Sequence, residues 1–188
     1  IGIDVKRCLM IPDEKNIIVE SLNLAATDSQ IVLISGGLGP TNDDITKKVL
    51  CEYFGGTLVQ NNDELKRLET MFATRNIAMN KANAEQALYP DCCDILINIM
   101  GTASGMHFEK NGVHYYATPG VPYEMEYLVG QKIVPHLQTV FSLSKNLDTW
   151  IWRLCAIAES EIYTRLESII LSQTELEFSF YPHYLNVD

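Results

Sequence analysis

No apolar run in this 188-residue chain approaches the ~20 residues a helix needs to cross a bilayer, which argues against a membrane-spanning helix. Positive charge is scarce: 14 Lys and Arg face 24 Asp and Glu, for a formal net charge of -10. Nucleic acid or an anionic membrane would be repelled over much of the surface, so neither is an expected partner, although local basic patches stay open. The five cysteines (Cys8, Cys51, Cys92, Cys93 and Cys155) are odd in number, and the adjacent Cys92-Cys93 pair lacks the two-residue gap of zinc and redox motifs. Reduced, mostly packed thiols in a cytoplasmic protein are expected instead. His107, His114, His136 and His183 show no metal-ligand spacing and suit packed or surface roles. No serine or cysteine sits in a nucleophile elbow, no repeat or low-complexity segment occurs, and Ile1-Gly2-Ile3-Asp4-Val5-Lys6 resembles the middle of a domain rather than a signal peptide.

What is present is organised around residues 35–46. Ile31-Val32-Leu33-Ile34 reads as a strand, Ser35-Gly36-Gly37-Leu38-Gly39-Pro40-Thr41 as a tight loop, and the segment carrying Ile45, Val49 and Phe54 as a helix. Glycines let the backbone turn and bring N–H groups close to a ligand, and a helix start adds partial positive charge, so phosphate is the natural guest. The loop lacks the Gly-Lys-Ser/Thr ending of a Walker A loop and the Gly-x-Gly-x-x-Gly spacing of a dinucleotide fingerprint. Asp43 and Asp44 leave two readings open. They are either acids stabilised at a helix N-terminus or carboxylates that hold a divalent cation, which in turn draws phosphate oxygens in.

Along the rest of the chain, Ile1–Met10 reads as a strand and Asp13 as the start of an amphipathic helix through Ile17, Ile18, Leu22, Ala25 and Ala26. Gly55-Gly56 ends the helix that follows the loop, and residues 57–60 form a short strand. Asp63–Ala73 is a helix with Leu65, Leu68 and Phe72 inward and Lys66, Arg67 and Glu69 on a solvated face, and Asn80–Leu88 is a second, short helix closed by Tyr89-Pro90. After a strand over Asp94–Ile97, Asn111-Gly112 marks a hairpin between 108–110 and 113–116. A helix follows from Pro122 to about Val140, with Met125, Leu128, Val129 and Ile133 as core. Residues 141–147 read as a linker, 148–156 as a strand bearing packed Trp150 and Trp152, 160–171 as a helix and 175–181 as a strand.

Alternating strands and helices predict a three-layer α/β/α fold with a mostly parallel sheet, and such sheets bind ligands beyond the carboxyl ends of their strands. Loops 36–43, 98–105 and 118–122 all fall at that edge, and Asp13 is placed to join them.

The stretch Gly36-Gly37-Leu38-Gly39-Pro40-Thr41-Asn42-Asp43-Asp44-Ile45-Thr46 resembles the signature of the molybdopterin-binding (MoaB/MogA-like) domain as found in the competence/damage-inducible CinA family. Asn83-Ala84-Glu85-Gln86-Ala87, Asn98 to Gly105, and Pro119 to Met125 match three further motifs in order, and Ala158-Glu159-Ser160 stands where Gly-Glu-Ser is usual. The resemblance implies a domain over 1–142 that starts about a strand and a helix later than the family pattern. It also implies a partial second α+β module over 148–188 and a homodimer; no counterpart of the family's amidase domain is expected. It further implies binding of a nucleotide or pterin, or metal-dependent cleavage of a nucleotide diphosphate such as ADP-ribose. On that reading Asp44, with Asp43 or Asp13, holds a divalent cation, magnesium or a similar metal. Gly36, Gly37, Gly39 and Thr41 cradle one phosphate, and Asn98, Gly101, Thr102 and Gly120 line the other wall. Glu124 is either a water-orienting base or a helix-start carboxylate. A non-catalytic binding module and an inactive interaction domain are the alternatives.

Overall fold

The strand β6 (Val113–Thr118) is buried at every position and lies at the centre of the fold. In the computed structural model, which describes residues 2–41, 43–142 and 150–181 and the backbone of 186–187, β6 pairs in parallel with β1 (Ile31–Ser35), Ile31 opposite His114 and Ser35 opposite Thr118. On its other side it pairs antiparallel with β5 (Gly105–Lys110), Met106 opposite Ala117. Beyond β5 lies β4 (Asp94–Leu96), also antiparallel, giving the order β1-β6-β5-β4. The α/β class is as the sequence implied, and the sheet is mixed, with one parallel pairing among its three. Two features account for this. Asn111 and Gly112 (φ 55° and 77°) make the tight turn that folds β5 back onto β6. Residues 2–10, expected as a strand, enter no ladder and are exposed throughout, which leaves β1 at the sheet edge with Leu33 51% exposed.

Alternation along β6 sends Val113, Tyr115 and Ala117 to one face and Tyr116 to the other. The first face is covered by α1 (Lys15–Asp28) through Ile18 and Leu22, and by α2 (Thr46–Phe54) through Val49 and Leu50. Phe54 stacks on Phe108 there, centroids 4.3 Å apart. On the second face a long helix packs Ile133 and Leu137 against Tyr116. It comprises α5 (Pro122–Leu128), a π-helical turn (Val129–Ile133) and α6 (Val134–Val140). The π-turn precedes Pro135, which has no N–H to return to the carbonyl four residues back, so the bonding register widens there. Three histidines, expected in packed or surface roles, meet on this face. His107 Nε2 lies 3.1 Å from His114 Nδ1, His107 Nδ1 lies 3.1 Å from Asp94, and the Tyr116 hydroxyl lies 2.7 Å from His136 Nδ1. Burial pushes the His107 imidazole below its ordinary value, and Asp94 offsets this only in part.

Between α2 and β4 in the chain come β2 (Leu58–Gln60), α3 (Asn62–Thr74), α4 (Lys81–Glu85) and β3 (Leu88–Pro90), with β2 and β3 an antiparallel pair. Tyr89-Pro90, expected to close a helix, instead lie in β3, and α4 ends three residues short of the expected Leu88. Of the cysteines only Cys51 is fully buried, and Cys8, Cys92 and Cys155 are exposed. The expected packing of most thiols is therefore not found, because three of them stand outside any apolar face.

Residues 146–188 form a compact unit separate from 1–145. Its helix α7 (Glu159–Ser172) matches expectation and buries Ile162. The strands differ: β7 is only Leu154–Cys155 and pairs antiparallel with β8 (Asn186–Val187), while 175–181 is not a strand. Trp150 and Trp152 are 74% and 69% exposed rather than packed. The expected linker and the first residues of the expected 148–156 strand lie, over 143–149, outside the described residues.

Candidate functional site

The Gly-rich loop leaves the end of β1 and returns as α2. Gly37 has φ +68°, and a Cβ on it would lie 2.1 Å from Thr46 Oγ1, so the first residue of α2 rests on the bare backbone. Leu38 turns the other way and is 1% exposed, anchoring the loop in the core. The N–H of Gly36 is taken by the carbonyl of Thr118 at 3.0 Å. Among the described residues, the N–H groups of Gly37, Leu38 and Gly39 have no acceptor. Successive N–H groups that point to one place can hold an oxyanion.

Asp43 and Asp44 do not cap the following helix. α2 begins at Thr46 with Ile45 at its N-cap, and it has no side-chain cap and no acid in its first turn. Asp44 instead closes the loop on itself. Its Oδ2 accepts the N–H of Thr41 at 3.0 Å and the hydroxyl of the same residue, and a Cβ on Gly39 would lie 2.5 Å from that oxygen. Thr41 therefore holds Asp44, and neither of these donors is free for a phosphate. The exposed Asp43 lies below the usual carboxylate range because of a side-chain hydrogen bond with Thr41. Asp13 precedes the N-cap of α1, Glu14, is exposed, and has no hydrogen bond to the loop among the described residues.

Two other loops close on this one. Gly120 is seated so that a Cβ would lie 3.3 Å from the Cα of Gly36, which binds the 118–122 loop directly to the Gly-rich loop. Glu124, in the first turn of α5 and 7% exposed, points to the third loop. Its Oε2 accepts from Asn98 Nδ2 at 2.7 Å, and a Cβ on Gly101 would lie 2.2 Å from its carboxyl carbon. The convergence expected for loops 36–43, 98–105 and 118–122 is thus seen in contacts among Gly36, Gly120, Glu124, Asn98 and Gly101.

Behind the 98–104 loop is a buried network that the sequence reading missed. Arg67 is not on a solvated face. Its guanidinium pairs with Glu64 (2.9 and 3.0 Å) and donates to the carbonyls of Asn98 (2.7 Å), Gly101 (3.0 Å) and Thr102 (2.9 Å). Ser104 Oγ donates to Glu64 at 2.7 Å and accepts the N–H of Asn98 at 3.0 Å. Thr102 therefore contributes its carbonyl to Arg67. The peptides are trans, so turning these carbonyls toward Arg67 turns the N–H groups of Ile99, Thr102 and Ala103 away from it. Those N–H groups have no acceptor among the described residues. A signal was present: Glu64, Arg67 and Leu68 share one helical stripe, with opposite charges three residues apart.

Lys47 was likewise unforeseen, although Lys47, Leu50, Cys51 and Phe54 recur at inward helical spacing. Its ammonium donates to the carbonyls of Gln86 and Leu88, both at 3.1 Å, and sits 4.4 Å above the Tyr89 ring. Burial pulls its pKa down to about 8, against the opposing pull of Cys93, Glu64 and Asp44. Among the described residues no three His, Cys, Asp or Glu side chains converge to enclose a metal. Of the two adjacent acids, Asp44 has Oδ2 engaged by Thr41, and Asp43 is exposed.

Residues 1–139 match the family described as a probable molybdopterin binding domain. A CinA-like protein of Cytophaga hutchinsonii is 49% identical over 126 residues, covering 67% of this chain and 30% of its own length. A putative competence-damage inducible protein of Caldicellulosiruptor bescii is 35% identical over all 188 residues, which are 45% of that protein. The chain thus spans less than half the length of these curated relatives. Among solved structures, the protein CinA of unknown function from Thermoplasma acidophilum superposes with a TM-score of 0.63 at 30% identity, covering 71% of this chain and 78% of that one. No helix among the described residues is long and apolar enough to cross a membrane. The chain belongs to the CinA family and carries its probable molybdopterin binding domain.

Proposed function

We propose that this domain binds a phosphorylated, nucleotide-like ligand at the Gly-rich loop and hydrolyses its diphosphate, with ADP-ribose as the model substrate. The observation that carries this reading is the junction of three loops at one edge of the sheet. The 118–122 loop meets the Gly-rich loop at Gly36 and Gly120, and Glu124 in the helix that follows it meets Asn98 and Gly101. A diphosphate presents two adjacent anionic groups, and the two sets of backbone donors suit one each.

The Gly37–Gly39 amides would hold one phosphate, and the amides of Ile99, Thr102 and Ala103 the second. Glu124, fixed through Oε2 by Asn98, keeps Oε1 for a water molecule and takes its proton as the water oxygen bonds to phosphorus. The bridging P–O bond breaks, AMP and ribose 5-phosphate leave, and the proton passes to the newly formed phosphate. Asp44 and Asp43 would hold a divalent cation, which supplies neutralisation of phosphate charge when bound.

The experiment is AMP release from ADP-ribose by the purified chain, with and without added magnesium or manganese, alongside Asp44→Ala. Metal-dependent release that falls ~10²–10³-fold in the variant is expected. A second reading is favoured by the absence, among the described residues, of a three-ligand metal cluster: a module that binds a pterin or nucleotide without turning it over. Binding of AMP without any release, at every metal concentration, would select it.

A further inference from the structure

Gln86 is 3% exposed, and neither Nε2 nor Oε1 of its amide finds a hydrogen-bond partner. Among the described residues it is the one buried side chain left in that state. The neighbouring polar groups are satisfied. Asn80 and Asn83 cap the start of α4 reciprocally, at 2.9 and 3.1 Å, and Lys47 pins the main chain on either side of the amide through the carbonyls of Gln86 and Leu88. A buried amide without partners lowers stability by about as much as a lost hydrogen bond, and folded proteins rarely keep one. An apolar side chain of the same length would remove that cost. Gln86 also lines a cavity of about 110 Å3 whose other walls include Gly39, Thr41, Asp44 and Lys47, so it adjoins the loop assigned above to phosphate.

We infer that Gln86 is a ligand-reading residue: its amide pairs with an adjacent donor and acceptor on the group that the bound phosphate carries. Phosphate itself offers acceptors only and would leave Oε1 unpaired, so the partner is a hydroxyl pair of a sugar or the polar edge of a heteroaromatic base. The amide is screened from solvent, and no hydrogen bond holds its rotamer, so it swings into the cavity as the ligand enters. Main-chain anchoring by Lys47 keeps the swing local to the side chain. This inference rests on the phosphate reading of the Gly-rich loop.

The test is Gln86→Met in the full chain, read by thermal melting and by titration with AMP and with ribose 5-phosphate. Removing the unpaired amide is expected to raise Tm by about 2–4 °C, while AMP affinity falls ~3–10-fold. An equal loss for ribose 5-phosphate assigns the amide to sugar hydroxyls, and an unchanged ribose 5-phosphate affinity assigns it to the base. A lower Tm, or AMP affinity equal to that of the wild-type chain, overturns the inference and leaves the loop reading intact. If the wild-type chain binds neither compound, the loop reading fails and the subsite falls with it.

Discussion

In the wall made by residues 36–41, 43 and 44, Thr41 and Asp43 are exposed, and among the described residues three consecutive N–H groups have no acceptor. The wall made by residues 98–104 is instead backed by a buried ion pair, with Glu64 3% exposed and every carbonyl that Arg67 reaches fixed at 3.0 Å or less. The difference separates two jobs. A loop that bound phosphate, as proposed, would need donors left open to the ligand, while the 98–104 loop depends on the side chains behind it. Substitutions in the first wall are therefore expected to cost binding and little stability, and substitutions behind the second to cost stability first.

The largest stability effect is expected from Arg67→Met, which leaves Glu64 buried and unpaired. A loss of about 3–5 kcal/mol in denaturant unfolding is predicted, and Arg67→Met combined with Glu64→Leu is predicted to recover part of it. Gly101→Ala is next. A Cβ 2.2 Å from the Glu124 carboxyl carbon forces the carboxylate off Asn98 or the loop outward, at about 1–3 kcal/mol by the same assay. Acid should weaken the buried side of the domain before the exposed wall. His107 is held below its ordinary value of 6.5, so the unfolded chain takes up the proton first. Stability is then lost as pH falls from about 6.5 through the lowered folded value, and His107→Phe should flatten that slope in a pH series of melts. The smallest effect belongs to the open wall: Thr41→Val removes the hydroxyl's bond to Asp44 at an exposed site and keeps the N–H one, and is predicted to cost less than about 1 kcal/mol in stability while weakening metal-dependent activity.

Much of the frame was legible in the sequence because it rests on short-range rules. Asn111-Gly112 specifies the hairpin and Gly55, at φ +76°, the end of α2, and the apolar periods of α1, α3 and α7 place those helices within two residues of their observed limits. The meeting of the three loops was legible as well, from the rule that strand ends share an edge. The polar interior was not. Arg67 read as solvated by residue type and Lys47 drew no reading, and partners distant in sequence, such as the carbonyls of Gly101 and Leu88, help make their burial favourable. Residues 2–10 and 175–181 have strand-like patterns but find no ladder partner, and a strand's pairing cannot be read from its own residues. The same limit applies to Asp43 and Asp44, whose spacing before an apolar stripe suggested caps, whereas Thr41 draws Asp44 back into the loop.

The central claim is that the two walls form one site for one ligand. Amide chemical shifts followed by NMR during titration with AMP test it most directly. The account predicts that Gly37, Leu38 and Gly39 shift together with Ile99, Thr102 and Ala103, and that both sets saturate at the same AMP concentration. Shifts confined to one loop, or saturating at different concentrations, would contradict it.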